Sequence, residues 1–190
     1  MKRHQELLRA AIERDGAAQR ALFVGDEERA RAAFGDAAEL YRGSWVQAPP
    51  TSYGRLVGML KSSVLAGEGT EQARYVRAQL GDRGEESATA SYAQALAGLI
   101  LRDDAAAEAW SERMRTGSDA FARTADAISA LAAGDAEAYA TAVRSIVEDF
   151  ERRADHLTGV AVADTAVMLQ RLAARRGLAA ELTSPVLPAA

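Results

Sequence analysis

The 190-residue sequence contains no cysteine, which excludes disulfide bonds, thiolate metal sites and a cysteine nucleophile. Imidazole ligands are scarce as well, since His4 and His156 are the two histidines. No apolar run approaches the 18 residues that a membrane-spanning helix requires. Charged residues recur from the start of the chain, where a signal peptide would need an apolar core. The sequence therefore predicts a cytoplasmic protein that does not bind membranes.

Charge and composition narrow the class further. The formal net charge is −4 and the isoelectric point is about 5.3, so the chain lacks the basic excess that binding to nucleic acid phosphates requires. Hydrophobic residues make up 48 % of the chain, with alanine abundant among them, and this content argues against disorder. The length suits one domain covering residues 1–190.

Helical periodicity dominates the chain. Apolar residues recur at spacings of three and four in eight or nine segments, as in amphipathic α-helices, and β-branched runs are nearly absent. The pairs Gly25-Asp26 and Gly134-Asp135 each predict the end of one helix and the N-cap of the next. Short connections favour antiparallel neighbours. We therefore predict an all-α fold of antiparallel helical hairpins.

Glycine and proline predict several helix boundaries. The second helix is expected to end at Gly43, which makes residues 45–50, with their two prolines, a loop. Residues 81–84 read as a turn. Gly159 is expected to close the helix that follows Gly134-Asp135, and the last helix to span about residues 160–176.

Residues 21–41 resemble the turn and second helix of a tetratricopeptide repeat. The Gly25-Asp26 pair lies where that family has its turn, and Ala30, Phe34 and Ala37 occupy its small, aromatic and small positions. Small residues let paired helices approach closely, and the aromatic ring fills the space between them. The resemblance implies stacked hairpins in an α-α superhelix that binds a protein. An irregular helical bundle is the alternative.

Residues 167–188 resemble the closing segment of immunity family forty-nine, which belongs to bacterial toxin–immunity pairs. The shared features are an apolar helix, a break at Gly177, a short hydrophobic stretch and a final Leu187-Pro188. This resemblance implies a cytoplasmic protein that binds and neutralises a toxin domain without catalysis.

The end of the chain, residues 178–190, is predicted to be a docked extended tail. Its apolar side chains are too numerous to be left in water, and they are Leu178, Leu182, Val186 and Leu187. Pro185 and Pro188 restrict the backbone to an extended path. We expect this tail to pack into a groove of its own helices or of a second copy.

Candidate chemistry is sparse. His4 is expected to be solvated at the terminus, and His156 follows a charged helix end that carries Glu148, Glu151 and Asp155. Interleaved arginines would pair with these acids instead of leaving them to bind a metal. No nucleophile elbow and no phosphate-binding glycine loop occurs. The sequence predicts no catalytic, cofactor or metal site, and hence no enzyme.

Two aromatic residues are candidates for contact with a partner. Trp45, predicted to lie in the loop before Pro49, could anchor a partner protein, as could Tyr53. The alternative for Trp45 is a plug between helix pairs, and Trp110 is expected to be ordinary core. We therefore predict a non-catalytic protein-binding module of unknown partner and oligomeric state. The alternatives are an immunity protein and a small helical-bundle enzyme.

Overall fold

The computed structural model describes residues 2–188, and most of these residues are helical. The α-helices are α1 (Arg3–Phe23), α2 (Glu27–Gln47), α3 (Gly54–Leu65), α4 (Thr70–Leu80), α5 (Ala88–Leu101), α6 (Asp104–Met114), α7 (Asp119–Ala133), α8 (Ala136–Arg152) and α9 (Asp164–Ala174), with a 3-10 helix (Gly81–Glu86) before α5. No strand occurs within residues 2–188. The predicted all-α fold is confirmed.

Helices that are consecutive in the chain are also neighbours in space. α1 packs along α2, α2 along α3, and the helices from α4 to α8 pack in chain order. Every residue of α5 from Ala90 to Ile100 is buried, so this helix forms the centre of the molecule. α9 returns to contact α3, α7 and α8. This return places the C-terminal part of the chain beside α3.

Aspartate caps the helices that follow two of the predicted breaks. Asp26 and Asp135 each accept a hydrogen bond from the backbone N–H three residues further on, at 3.2 and 3.0 Å. Gly25 and Gly134 have φ angles of 78° and 71°, which end the preceding helices at little steric cost. Both of these boundary predictions are confirmed.

The predicted end of α2 is wrong. The helix continues through Gly43 to Gln47, so Trp45 is helical and not part of a loop. Pro49 and Pro50 lie beyond the last helical residue, where they exclude helix only in their immediate vicinity. The predicted turn at residues 81–84 is part of the 3-10 helix.

The predicted bounds of the last two helices are also wrong. α8 ends at Arg152, well before Gly159, and α9 begins at Asp164 instead of near residue 160. Residues 153–163, called the linker here, cross between the two helices without regular structure. The linker forms one wall of the site described below.

Residues 178–188, the described part of the tail, lie on the helices of their own chain. Val186 is buried, and Leu178, Leu182 and Leu187 pack half-buried against the core. The side-chain amide of Gln170 in α9 donates to the carbonyl of Ala180 at 2.6 Å and accepts from its N–H at 3.0 Å. The N–H of Ala163 donates to the carbonyl of Val186 at 2.8 Å. These bonds attach the tail at two points.

No helix in the described part of the chain combines the length and the hydropathy that a membrane-spanning segment requires.

Candidate functional site

A cavity of about 450 Å³ lies between α1 and the body of the molecule. Its lining residues come from α1 (Leu8, Ile12, Asp15, Gln19), α2 (Tyr41), α3 (Gly54, Arg55, Val57, Gly58, Lys61), α5 (Tyr92), α7 (Ala120, Phe121, Arg123, Thr124), α8 (Ile146, Asp149, Phe150), the linker (Arg153, His156, Leu157, Thr158, Val160, Val162) and α9 (Asp164, Thr165). Most of this wall is apolar. Cavities of this size hold small organic molecules in many proteins.

The cavity exists because α1 stands apart from most of the other helices. α1 packs along α2 and makes no comparably extensive contact with another helix of the described chain. Leu8, Ile12, Asp15 and Gln19 recur at spacings of four, three and four, so they share one face of α1. That face lines the cavity instead of packing directly on α3.

A half-buried ion pair marks the polar end of the cavity. The ammonium of Lys61 lies 2.6 Å from Oδ2 of Asp164 and donates to Oγ1 of Thr165 at 3.0 Å. Burial is the largest single effect on the pKa of Lys61 and lowers it, but Asp164, Tyr92 and Asp15 together outweigh burial and raise the pKa above its ordinary value. Lys61 therefore stays charged, and two of its three N–H groups are already used.

Asp15 lies at the same end of the cavity. Its Oδ2 accepts a hydrogen bond from the Tyr41 hydroxyl at 3.3 Å, and the residue is 7 % exposed. Burial, assisted by the charge of Asp164, raises the pKa of Asp15 to about 7, although Lys61 acts in the opposite direction. The same burial raises the pKa of Tyr41, whose proton therefore stays in place to donate.

Gly58 in α3 allows Tyr41 to reach Asp15. A Cβ at Gly58 would lie 2.8 Å from Cε1 and Cζ of the Tyr41 ring, which is closer than real Cβ atoms approach. The ring therefore rests on the glycine. A larger residue would push the hydroxyl away from the carboxyl group.

Two polar atoms in the cavity wall lack hydrogen-bond partners within the described chain. They are the hydroxyl of Tyr92 and Nδ1 of His156, and both atoms are buried. Thr165 lies near the Tyr92 hydroxyl, but no hydrogen bond of good geometry joins them. Burying such atoms unpaired has a free-energy cost, and a bound molecule with matching polar groups would remove it.

Two arginines, Arg123 and Arg153, line the cavity beside Asp149, and this group of three residues is called the arginine rim. Oδ1 of Asp149 accepts a hydrogen bond from Arg123 at 2.6 Å, and Oδ2 accepts two from Arg153, at 2.6 and 3.0 Å. The guanidinium of Arg153 also lies 3.8 Å from the centre of the Phe150 ring. This rim carries two positive charges against one negative charge.

The linker packs against α1 at Gly16. A Cβ at Gly16 would lie 3.0 Å from the carbonyl oxygen of Thr158, so the two backbones meet closely there. The Thr158 hydroxyl donates to Oε1 of Gln19 at 2.6 Å. Leu157, next in the linker, is 79 % exposed although it lines the cavity. The cavity therefore reaches the surface beside the linker.

The two aromatic residues considered for partner contact lie together, but inside the protein. Trp45 and Tyr53 are 8 % and 3 % exposed, and their ring centres are 5.9 Å apart. This arrangement matches the alternative in which Trp45 fills a gap between helices. Trp110, expected in the core, is half-buried with Arg113 stacked 4.7 Å from its ring centre.

The two histidines occupy different environments from those expected. His4 is half-buried instead of solvated, because its carbonyl accepts from Ser44 at 2.6 Å and its Nδ1 lies 3.2 Å from Arg55. His156 stacks on Phe150 with ring centres 6.1 Å apart. Within residues 2–188, no group of three acidic or histidine side chains is placed to hold a metal ion.

The sequence reasoning missed Asp15, Lys61 and Asp164 as site residues. A signal for two of them exists in the sequence. Lys61 is one of two lysines and directly follows the apolar Met59 and Leu60 of α3, and Asp15 lies among the apolar positions of α1. Charged residues in apolar helices are rarely buried unless they are paired or functional.

No family model, curated protein or solved structure matches this chain. The resemblances to tetratricopeptide repeats and to immunity family forty-nine stay predictions.

Proposed function

We propose that this protein binds a small organic molecule in the cavity between α1 and α3. The observation that carries the proposal is the form of the cavity, which is about 450 Å³ in volume, mostly apolar and polar at one end. Ligand sites generally combine an apolar wall with a few convergent polar groups. Here Asp15, Lys61 and Asp164 supply those groups.

The energetics of the empty site support the same function. The Asp15 carboxyl is buried without an ion-pair partner in the described chain, and the Tyr92 hydroxyl and His156 Nδ1 are unpaired. Packing the space with larger side chains would stabilise the fold, since protein interiors are normally dense. A cavity with buried polar groups makes the fold less stable than a dense core would, and such a loss of stability is common at ligand sites.

The sequence-based prediction of a protein-binding module, with a toxin as one possible partner, has a weaker structural basis. Trp45 and Tyr53 expose little surface, so they offer no anchor to a partner. The cavity offers a binding site instead, although sequence periodicity predicted only ordinary helix packing for the residues that line it.

A neutral two-ring probe, 2-naphthalenemethanol, tests the proposal. Saturation-transfer NMR and calorimetry should detect its binding to the wild-type protein. Ala120 lines the cavity at the start of α7, so Ala120→Leu should fill part of the space and weaken binding. Ala133, exposed at the end of the same helix, provides the matched control, and Ala133→Leu should bind as the wild type does.

Two outcomes would refute the proposal. One is the failure of the folded wild-type protein to bind this alcohol and also its amine and carboxylate analogues. The other is equal binding by Ala120→Leu and Ala133→Leu, which would place the probe outside the cavity.

A further inference from the structure

The charges at the polar end of the cavity do not balance once the Asp15 carboxyl group is ionised. Two carboxyl groups, Asp15 and Asp164, face one ammonium, that of Lys61. Lys61 is bound to Asp164 at 2.6 Å, and within the described chain Asp15 has no cation within ion-pair distance. The Asp15 carboxyl is hydrogen-bonded by two uncharged side chains, those of Tyr41 and Gln19. The Asp15 carboxyl group at the polar end of the cavity therefore lacks a positively charged partner.

Aromatic rings line the same cavity as this carboxyl group. The Tyr41 hydroxyl donates to Asp15, and the rings of Tyr92 and Phe121, 5.5 Å apart, form another part of the wall. Phe150 lines the side nearer the arginine rim. Aromatic faces attract cations, and the attraction grows when water is excluded.

From this arrangement we infer that the ligand is an organic monocation, an amine on an apolar, ring-sized body whose ammonium group pairs with Asp15. The inference rests on the proposed function and specifies its ligand class. The apolar body would occupy the space lined by Ile12, Val57 and Ile146. The aromatic rings would surround the ammonium group and its neighbouring carbons.

An anion is disfavoured at this end of the cavity. It would lie beside Asp15 and Asp164, while the nearest ammonium is already engaged by Asp164 and Thr165. Positive charge in excess is found instead at the rim, where Arg123 and Arg153 share Asp149. The buried end of the cavity and the rim therefore select opposite charges.

Three probes with the same ring system separate the alternatives: 2-naphthylmethylamine, 2-naphthalenemethanol and 2-naphthoate. Calorimetry at pH 8 should show that the amine binds at least about tenfold more tightly than the alcohol, the usual value of a charged hydrogen bond. The carboxylate should bind most weakly. Asp15→Asn should bring the amine to the affinity of the alcohol and leave alcohol binding intact.

The control for this substitution is on the same helix. Glu13 is a salt-bridged acid of α1 whose side chain is 71 % exposed, outside the cavity. Glu13→Gln should keep the preference for the amine. Circular dichroism of both variants verifies that they are folded.

A pH series on the wild-type protein provides a test that needs no Asp15 variant. The preference for the amine should decline as the pH falls from 8 to 5.5, because protonation of Asp15 removes the attracting charge. The other titratable or charged residues that line this cavity are Lys61, Asp164, Tyr41, Tyr92, His156, Arg55, Arg123, Asp149 and Arg153. His156→Gln should keep the decline, because the preference for the amine comes from the Asp15 carboxyl group and not from the imidazole.

Each result has a defined meaning. Equal affinities for amine and alcohol would overturn the cation inference and leave the proposed function standing. Tightest binding of the carboxylate would overturn it also, and would point to Lys61 or the arginine rim. Failure of all three probes to bind would refute the proposed function itself.

Discussion

At Gly58 a hydrogen atom stands where any other residue would place a Cβ 2.8 Å from two carbons of the Tyr41 ring. The ring in turn directs its hydroxyl to Asp15. One glycine in the middle of α3 thus controls the hydrogen bond on the carboxyl group at the polar end of the cavity.

Gly58→Ala should lower the free energy of unfolding by about 1–3 kcal/mol, as overpacking does in a dense core. Gly35→Ala provides the matched control, because a Cβ there meets no atom within 4 Å and the residue also lies inside a helix. That substitution should stabilise the protein by about 0.5–1 kcal/mol through helix propensity. Urea unfolding of both variants measures the two effects, and equal values would contradict the close contact.

Asp15 should make stability depend on pH in an unusual direction. Its pKa is about 7 in the folded protein and has its ordinary value of 3.8 in the unfolded chain. Between these values the folded state holds a proton that the unfolded state releases, so the contribution of Asp15 to stability falls as the pH rises from 4 to 7. Above pH 7 this contribution is constant.

Asp15→Asn should remove that pH dependence. Relative to the wild type, the variant should gain up to about 4 kcal/mol of unfolding free energy between pH 4 and pH 8. Lys61, Asp164 and Tyr41 face Asp15 and are present in both proteins, so the difference isolates Asp15. Urea unfolding at several pH values provides the measurement, and a difference independent of pH would show that Asp15 is ionised throughout.

The helices α5 and α6 approach each other closely at Gly98. A Cβ at Gly98 would lie 2.8 Å from the backbone nitrogen of Ala107 and 2.9 Å from its Cα. Backbone atoms cannot turn aside as a side chain can, so added volume here must separate the two helices. α5 is the buried central helix, and the separation would disturb the packing on its other sides.

Gly98→Ala should therefore be more harmful than Gly58→Ala, with a loss of about 3 kcal/mol at the upper end of the overpacking range. Thermal unfolding followed by circular dichroism would report it as a lower melting temperature. A variant as stable as the wild type would contradict the close approach of Gly98 in α5 to the backbone of Ala107 in α6.

At the scale of the whole molecule, several hydrogen bonds join residues that lie far apart in the chain. Lys61 and Thr165, 104 residues apart, are joined by one hydrogen bond, and Gln19 and Thr158, 139 residues apart, by another. The tail then covers α9 through Gln170. The cavity thus depends on chain segments from both ends of the sequence.

Removing the tail tests this dependence. Truncation after Gly177 deletes the buried Val186 and both bonds to Gln170, so the melting temperature should fall by about 5 °C or more. Truncation after Pro188 keeps all of these contacts and should melt as the full chain does. Equal melting of the two truncated proteins would show that the tail adds nothing to stability.

Local interactions account for what the sequence by itself determined. The helices arise from apolar spacings of three and four, and Asp26 and Asp135 cap their own helices within a single turn. Phe34, predicted to fill a helix pair, is fully buried. The end of α2 was less predictable because glycine inside a helix is tolerated when packing favours it, as at Gly43. The helix α8 ends at Arg152, before any glycine marks its end.

The cavity was decided by the tertiary structure alone. Periodicity shows which face of α1 turns inward, but not whether that face meets another helix or a chamber. Asp15, Lys61 and Asp164 come from three helices and meet because α9 returns to α3, a long-range packing choice without a local sequence signal. Their burial, and with it the raised pKa of Asp15, follows from that packing, because desolvation depends on every surrounding element at once.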